Sequence, residues 1–165
     1  MSKPIRSFAE LLHSDGPAPD RAEKMSLYGW LIGAWEMDTV VYTDDNQVHR
    51  GQGQIGFGWV LQGRAIQDVW TLDGVFYGTT LRTYDPAIDA WHIIWSDPVR
   101  QYYTRQIGRA QGRSIVQVGK IEGGADVRWS FTEIEPGSFR WLGERSLNSG
   151  ETWQLQADFR VRRLA

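Results

Sequence analysis

The feature that most constrains how this chain can fold is the regular recurrence of turn signals between short alternating segments. After residue 34 these are Asp44-Asp45-Asn46, Leu61-Gln62-Gly63, Asp73-Gly74, Asp85-Pro86-Ala87-Ile88-Asp89, Asp97-Pro98, Gly108 to Gly112, Glu122-Gly123-Gly124, Glu135-Pro136-Gly137 and Asn148-Ser149-Gly150. Such residues either tolerate positive φ or form side-chain turns, so they punctuate strands rather than extend them. They predict ten strands, near 34–43, 47–60, 64–72, 75–84, 90–96, 100–109, 113–121, 125–134, 138–147 and 151–163. Hairpin-length breaks without helical interruption favour an all-β, ten-stranded antiparallel up-and-down barrel. A two-sheet sandwich is the alternative topology.

Alternation predicts which side chains face inward. In the last strand Trp153, Leu155, Ala157, Phe159 and Val161 share a face, against Gln154, Gln156, Asp158, Arg160 and Arg162. The eighth gives Val127, Trp129 and Phe131, and the first gives Trp35, Met37, Thr39 and Val41. This is the period of a half-buried strand. The second strand carries Gly51, Gly53, Gly56 and Gly58. Glycine at that density permits the bulging and tight coiling that closing a barrel requires.

Residues 1–20 read as a flexible N-terminal tail, with a short amphipathic turn from Ser7 to His13 ended by Ser14-Asp15-Gly16-Pro17. Residues 21–165 form the barrel domain. A helix over about 21–31, N-capped by Asp20 with Glu23 set for a capping box, closes one end, and Gly33 stops it. The chain has 165 residues, enough for one core. A net charge of −2 gives no footprint for nucleic acid. No apolar run approaches the ~18–20 residues of a membrane span. Cysteine is absent, which excludes disulfides and thiolate chemistry, and no secretory h-region is visible. A cytoplasmic location is expected.

Nine tryptophans are more than a core of this size needs. Each indole removes a large apolar area from water and needs a partner for its N–H when buried. Most lie in predicted strands, which points to an aromatic-lined container.

These residues together resemble the calycin superfamily of lipocalins, fatty-acid-binding proteins and nitrobindins. Gly33-Ala34-Trp35 is similar to the lipocalin G-x-W, where the tryptophan closes the barrel floor under an arginine of the last strand. The resemblance makes Arg163 or Arg160 that arginine. Leu31-Ile32-Gly33-Ala34-Trp35, Leu61-Gln62-Gly63-Arg64, Tyr84-Asp85-Pro86 and Trp95-Ser96-Asp97, in this order, resemble most closely a mostly bacterial lipocalin-like family defined only as a domain of unknown function. That likeness implies a barrel over about 25–163 and names no ligand. Two departures stand out. Only Asp44-Asp45-Asn46 separates the first two strands, where fatty-acid-binding proteins have a helical lid. Nitrobindins bind haem through a histidine near the last strands, and none follows His92 here, so no cofactor is expected.

The residues that could carry chemistry are few. His13, His49 and His92 are too scattered for a metal site. His92, between Trp91 and Trp95, is a candidate acid/base group. Asp68 shares parity with Ile66 and Trp70; it is either a desolvated general base or the partner of Arg82, Arg105 or Arg128. Asp97 before Pro98 reads as an Asx turn. No Ser sits in a G-x-S-x-G elbow and no glycine-rich loop opens a helix, so neither a serine nucleophile nor a nucleotide site is expected. Candidate ligand contacts are Trp35, Trp70, Trp95, Trp129 and Trp141, with Tyr102, Arg105, Arg128 and Arg145 as polar anchors. Of the neighbours Tyr102 and Tyr103, alternation lets only one reach the bore.

Three functional classes follow. The first is a binding protein for a hydrophobic or aromatic small molecule. The second is a cofactor-independent lyase, isomerase or cyclase, with His92 or Asp68 moving a proton. The third is an assembly module, its bore filled by its own tryptophans, that forms a homodimer through an exposed face.

Overall fold

The computed structural model describes residues 4–121 and 123–165, so Glu122 of the expected Glu122-Gly123-Gly124 turn lies outside the described residues. Ten strands follow one another around a ring: β1 (Gly33–Tyr42), β2 (Val48–Val60), β3 (Ala65–Leu72), β4 (Phe76–Asp85), β5 (Ala90–Asp97), β6 (Tyr102–Gln111), β7 (Ser114–Ile121), β8 (Asp126–Glu135), β9 (Ser138–Ser146) and β10 (Gln154–Arg163). Each pairs antiparallel with its sequence neighbours, and β1 pairs with β10, from Trp35 opposite Arg163 to Val41 opposite Ala157. The barrel is closed and leaves no strand with a free edge.

Glycine in β2 serves a close approach. Gly53 lies opposite Met37, and a Cβ there would overlap the carbonyl oxygen of Thr71 and the Met37 methyl. Gly56 and Gly58, by contrast, have open space where a side chain would stand.

Two helical segments precede the barrel. α1 (Phe8–Leu12) has a complete capping box between Ser7 and Glu10. The segment read as a tail is tied to the β2–β3 turn. Ser14 N–H donates to Trp59 O at 3.0 Å, Leu61 N–H to Leu12 O at 2.9 Å and Ala18 N–H to Gly63 O at 2.9 Å. Gly63 adopts φ +73°, and a Cβ there would strike Gly16 and Ala18, so glycine allows this docking.

A 3-10 turn over Pro19–Arg21 leads into α2 (Ala22–Gly29), which is shorter than the periodicity predicts. Asp20 is not its N-cap. The 3-10 turn moves the cap to Arg21, which makes no side-chain capping bond, and the Asp20 carboxylate accepts from Arg64 instead. Met25, Tyr28 and Leu31 are completely buried and seal one end of the bore.

The floor at that end is built around Trp35. Its indole N–H donates to Leu31 O at 2.7 Å, and Trp30 and Phe139 meet it edge to face. The Arg163 guanidinium stacks on Trp35 with Cζ 4.1 Å from the ring centroid and donates to the carbonyls of Trp30 and Ile32. Arg160 points outward to Glu133.

Alternation holds along β1 and through Val127, Trp129 and Phe131 of β8, where an irregularity between Thr132 and Glu135 ends it, and it breaks at the start of β10. A bulge between Leu155 and Ala157 adds one residue opposite β9. Leu155 is therefore exposed, Gln156 turns toward the bore, and Trp153 stacks under the outward-facing Arg128. The expected inward positions of Trp153 and Leu155 are corrected by that extra residue.

Candidate functional site

With α2 filling one end, the open volume lies toward the other, where β4 and β10 begin and β5 and β9 finish. A cavity of about 230 Å³ sits there. Its wall is aromatic: Trp70 from β3, Phe76 from β4, Trp95 from β5, Trp129 from β8, Trp141 from β9 and Phe159 from β10. Each takes the inward position of its strand, and together they form a chain of ring contacts. Trp70 meets Trp141 at 5.5 Å, Trp141 meets Trp129 at 5.4 Å and stacks on Phe159 at 5.1 Å, and Trp129 meets Trp95 at 6.1 Å. The indole nitrogens of Trp70, Trp95 and Trp141 are buried and, among the described residues, have no hydrogen-bond partner. A buried donor left unpaired costs about 1–3 kcal/mol.

The inner surface of the cavity is polar and bonded within itself, apart from Gln117 Nε2, which has no partner among the described residues. Thr80 and Arg82 reach it from β4. Arg82 forms an ion pair with Asp68 in which both side chains are essentially out of water. Asp68 also accepts from the Thr80 N–H at 2.8 Å, and Gln117 Oε1 takes bonds from Arg82 Nε at 3.4 Å and the Tyr28 hydroxyl at 3.0 Å. The guanidinium lies 5.4–5.6 Å from the rings of Tyr28, Phe57 and Phe131. Burial pushes the Tyr28 phenol well above its ordinary pKa, so it stays a hydrogen-bond donor.

The mouth carries the charged groups. Asp97 is fully buried and accepts from the N–H groups of Val99 and Arg100 and from Arg100 Nε at 2.6 Å, which is the Asx turn read from the sequence with an ion pair added. The Arg100 guanidinium is thereby held 5.3 Å from the rings of both Phe76 and Tyr102. Burial raises the Tyr102 phenol above its usual range, opposed by the positive charges of Arg100 and Arg145. Arg145 bonds through both Nη atoms to Asp44 of the β1–β2 turn, and Glu144 is held by Arg128 at 2.8 and 2.9 Å.

Of the expected site residues, Trp70, Trp95, Tyr102, Trp129, Trp141 and Arg145 come together around this cavity. Trp35 does not reach it. The G-x-W position puts that ring at the sealed floor, where Leu31, Phe139 and Arg163 enclose it. His92 and Arg105 take outward positions, because the inward side of β5 belongs to Trp91, Ile93, Trp95 and Asp97 and that of β6 to Thr104 and Gln106. His92 Nε2 lies 2.8 Å from Asp85, and Arg105 is 3.4 Å from His92 Nδ1. Arg128 also lies outside, on Glu144.

Asp68 faces inward but is spent on Arg82 and does not line the cavity. Neither candidate acid/base group therefore meets a substrate in this cavity. His13 and His49 are exposed as well, so no histidine of the chain faces the bore and a histidine-ligated haem has no axial ligand there. Among the described residues no three His, Asp or Glu side chains converge to hold a metal ion.

Alternation missed Arg100, Gln156 and Phe76. Gln156 depends on a bulge and Arg100 on how a turn leans over the mouth, neither of which has a periodic signature. Phe76 holds an ordinary inward position in β4 and was readable from parity. No described helix is long and apolar enough to cross a membrane.

No family model and no curated protein matches this chain. Among solved structures, the crystal structure of Rv2717c from M. tuberculosis superposes with a TM-score of 0.60 at 10% identity, covering 90% of this chain and 99% of that one. The structure of EF1p2_mFAP2b bound to DFHBI matches 82% of this chain and 94% of that one at 12% identity, with a TM-score of 0.39. What the first of these likenesses shows is the fold alone, in keeping with the closed antiparallel barrel.

Proposed function

We propose that this protein binds a flat, hydrophobic small molecule inside the open half of its barrel. The observation that carries this reading is the cavity itself. Eight aromatic side chains line about 230 Å³ that the chain's own tryptophans do not fill, and among the described residues the indole N–H groups of three of them have no partner. An apolar site with a few placed polar groups is the usual form of a small-molecule pocket, though this volume is below the ~300–1,000 Å³ of drug-sized sites. The occupant is therefore small, of one or two rings. Desolvation and ring contacts supply affinity, and the polar mouth supplies orientation. The residual volume disfavours a ligand-free assembly module, and the placement of His92 and Asp68 disfavours acid/base catalysis through them.

The test is titration of a broad panel of aromatic and acyl compounds against tryptophan fluorescence, alongside native mass spectrometry of the purified protein. At least one small aromatic compound is expected to quench Trp70, Trp95, Trp129 or Trp141 saturably. A panel in which nothing binds, with no co-purifying molecule, refutes the reading.

A further inference from the structure

The hydrogen-bonding groups left open around the cavity are mostly donors, with the Gln156 amide, which also lines it, offering both a donor and an acceptor. The buried indole nitrogens of Trp70, Trp95 and Trp141 are donors without acceptors. Arg100 uses Nε on Asp97, and among the described residues its two Nη atoms have no partner. The acceptors at the mouth are already engaged: Asp97 by Arg100 and two backbone N–H groups, Asp44 by Arg145, and Glu144 by Arg128. A molecule that pairs with the Arg100 edge must therefore bring acceptors.

Arg100 is also prepared to receive an anion. Its Nε side is fixed by a carboxylate that is wholly buried, and Phe76 and Tyr102 stand beside its guanidinium at 5.3 Å, so its free Nη edge is oriented before anything binds. A guanidinium edge with two N–H groups matches a carboxylate in geometry and charge, and pairing of this kind is stronger than a neutral hydrogen bond. Tyr102 lines the same cavity, and its hydroxyl is a donor suited to a second carboxylate oxygen. Behind the guanidinium the wall is largely aromatic, with Trp95, Trp129 and Trp141 among its rings.

Resting on the binding function above, we propose that the occupant is an aryl carboxylate of one or two rings. Its carboxylate sits on the Nη edge of Arg100 beside Tyr102, and its ring lies among Trp95, Trp129 and Trp141. A neutral compound of the same shape occupies the same aromatic space but leaves the Arg100 edge unpaired.

The experiment is isothermal titration calorimetry of the full chain with 2-naphthoate and with its neutral counterpart 2-naphthalenemethanol. Wild type is expected to bind the carboxylate about tenfold or more tightly than the alcohol. Arg100→Gln should remove that preference while still binding the alcohol, and Arg113→Gln at the sealed end should retain it. Equal affinity of wild type for the two probes overturns the inference and leaves the aromatic cavity standing. Retention of the preference in Arg100→Gln overturns the assignment of the carboxylate to that side chain. If neither probe binds, the aryl-carboxylate inference falls, and the broad panel decides the wider reading by itself. Because Arg100→Gln also strips Asp97 of a partner, Tyr102→Phe is measured beside it and should cut the preference by a smaller factor.

Discussion

The ion pair between Asp68 and Arg82 permits a sharp test of how this barrel tolerates charge in its interior. Both side chains are withdrawn from water, and the guanidinium is surrounded by Tyr28, Phe57 and Phe131. Arg82→Met removes the cation and leaves the Asp68 carboxylate with the Thr80 N–H as its remaining partner. Removing one member of a buried pair costs about 3–5 kcal/mol, because the other charge stays behind without its counterpart. Asp68→Leu should cost a similar amount by stranding the guanidinium. The double variant Asp68→Leu/Arg82→Met strands no charge. It loses an acceptor for the Thr80 N–H, at about 1–2 kcal/mol, and gains apolar contacts. With an m-value of roughly 2 kcal/mol per M of urea, each single variant should lower the unfolding midpoint by about 1.5–2.5 M, and the double variant by under about 1 M. Urea denaturation followed by tryptophan fluorescence reads all three. A double variant as unstable as the sum of the singles would refute the argument, since the pair would then be a net source of stability.

Three other outcomes follow from the same geometry. Arg163→Ala should lower stability by about 2 kcal/mol in thermal or urea unfolding, through loss of the stack on Trp35 and of two hydrogen bonds to the Trp30 and Ile32 carbonyls; an unchanged midpoint would remove Arg163 from the floor. Gly53→Ala should destabilise by more than about 2 kcal/mol, because its Cβ meets backbone and Met37, whereas Gly56→Ala, with open space, should stay within roughly 0.5 kcal/mol; equal effects would contradict the β1–β2 register. The Arg140 guanidinium beside Asp158 holds its carboxyl below the usual carboxylate range. A depressed folded-state pKa contributes stability that is complete above the unfolded value near ~3.9 and is lost as pH falls through the lower folded value. The urea midpoint of wild type should therefore drop as pH falls from ~4 downward, and Asp158→Asn should show a shallower drop; parallel curves would refute the link.

The barrel was legible because its information is local. Turn residues such as Asp73-Gly74 and Glu135-Pro136-Gly137 mark hairpins within a few residues, and period-two alternation through Trp35, Met37 and Thr39 or Val127, Trp129 and Phe131 orients the strands. The floor was legible only through the resemblance carried by Gly33-Ala34-Trp35, which left Arg163 and Arg160 open and did not stop Trp35 from also being read as a ligand contact. The site was legible for residues in the regular middle of strands, as with Trp70, Trp129 and Trp141, and failed where local rules end. His92 was misplaced because β5 has bulky side chains at both parities, and the sequence does not say which set is inside. Leu155 and Gln156 exchanged sides at a bulge that leaves no mark in the residue pattern. Arg100 lies in a turn, where aim is set by the neighbouring strand ends.

Every strand is hydrogen-bonded on both sides around the ring, and one end is stoppered by α2 with the Trp35 floor, so the described cavity lies toward the other end. A guest of the proposed kind would then enter and leave at that end, where the Arg145–Asp44 bridge links β9 to the β1–β2 turn. Residence time should then be governed by the turns at that rim, and exchange kinetics become a property of a few hairpin tips while the wall of the vessel stays rigid.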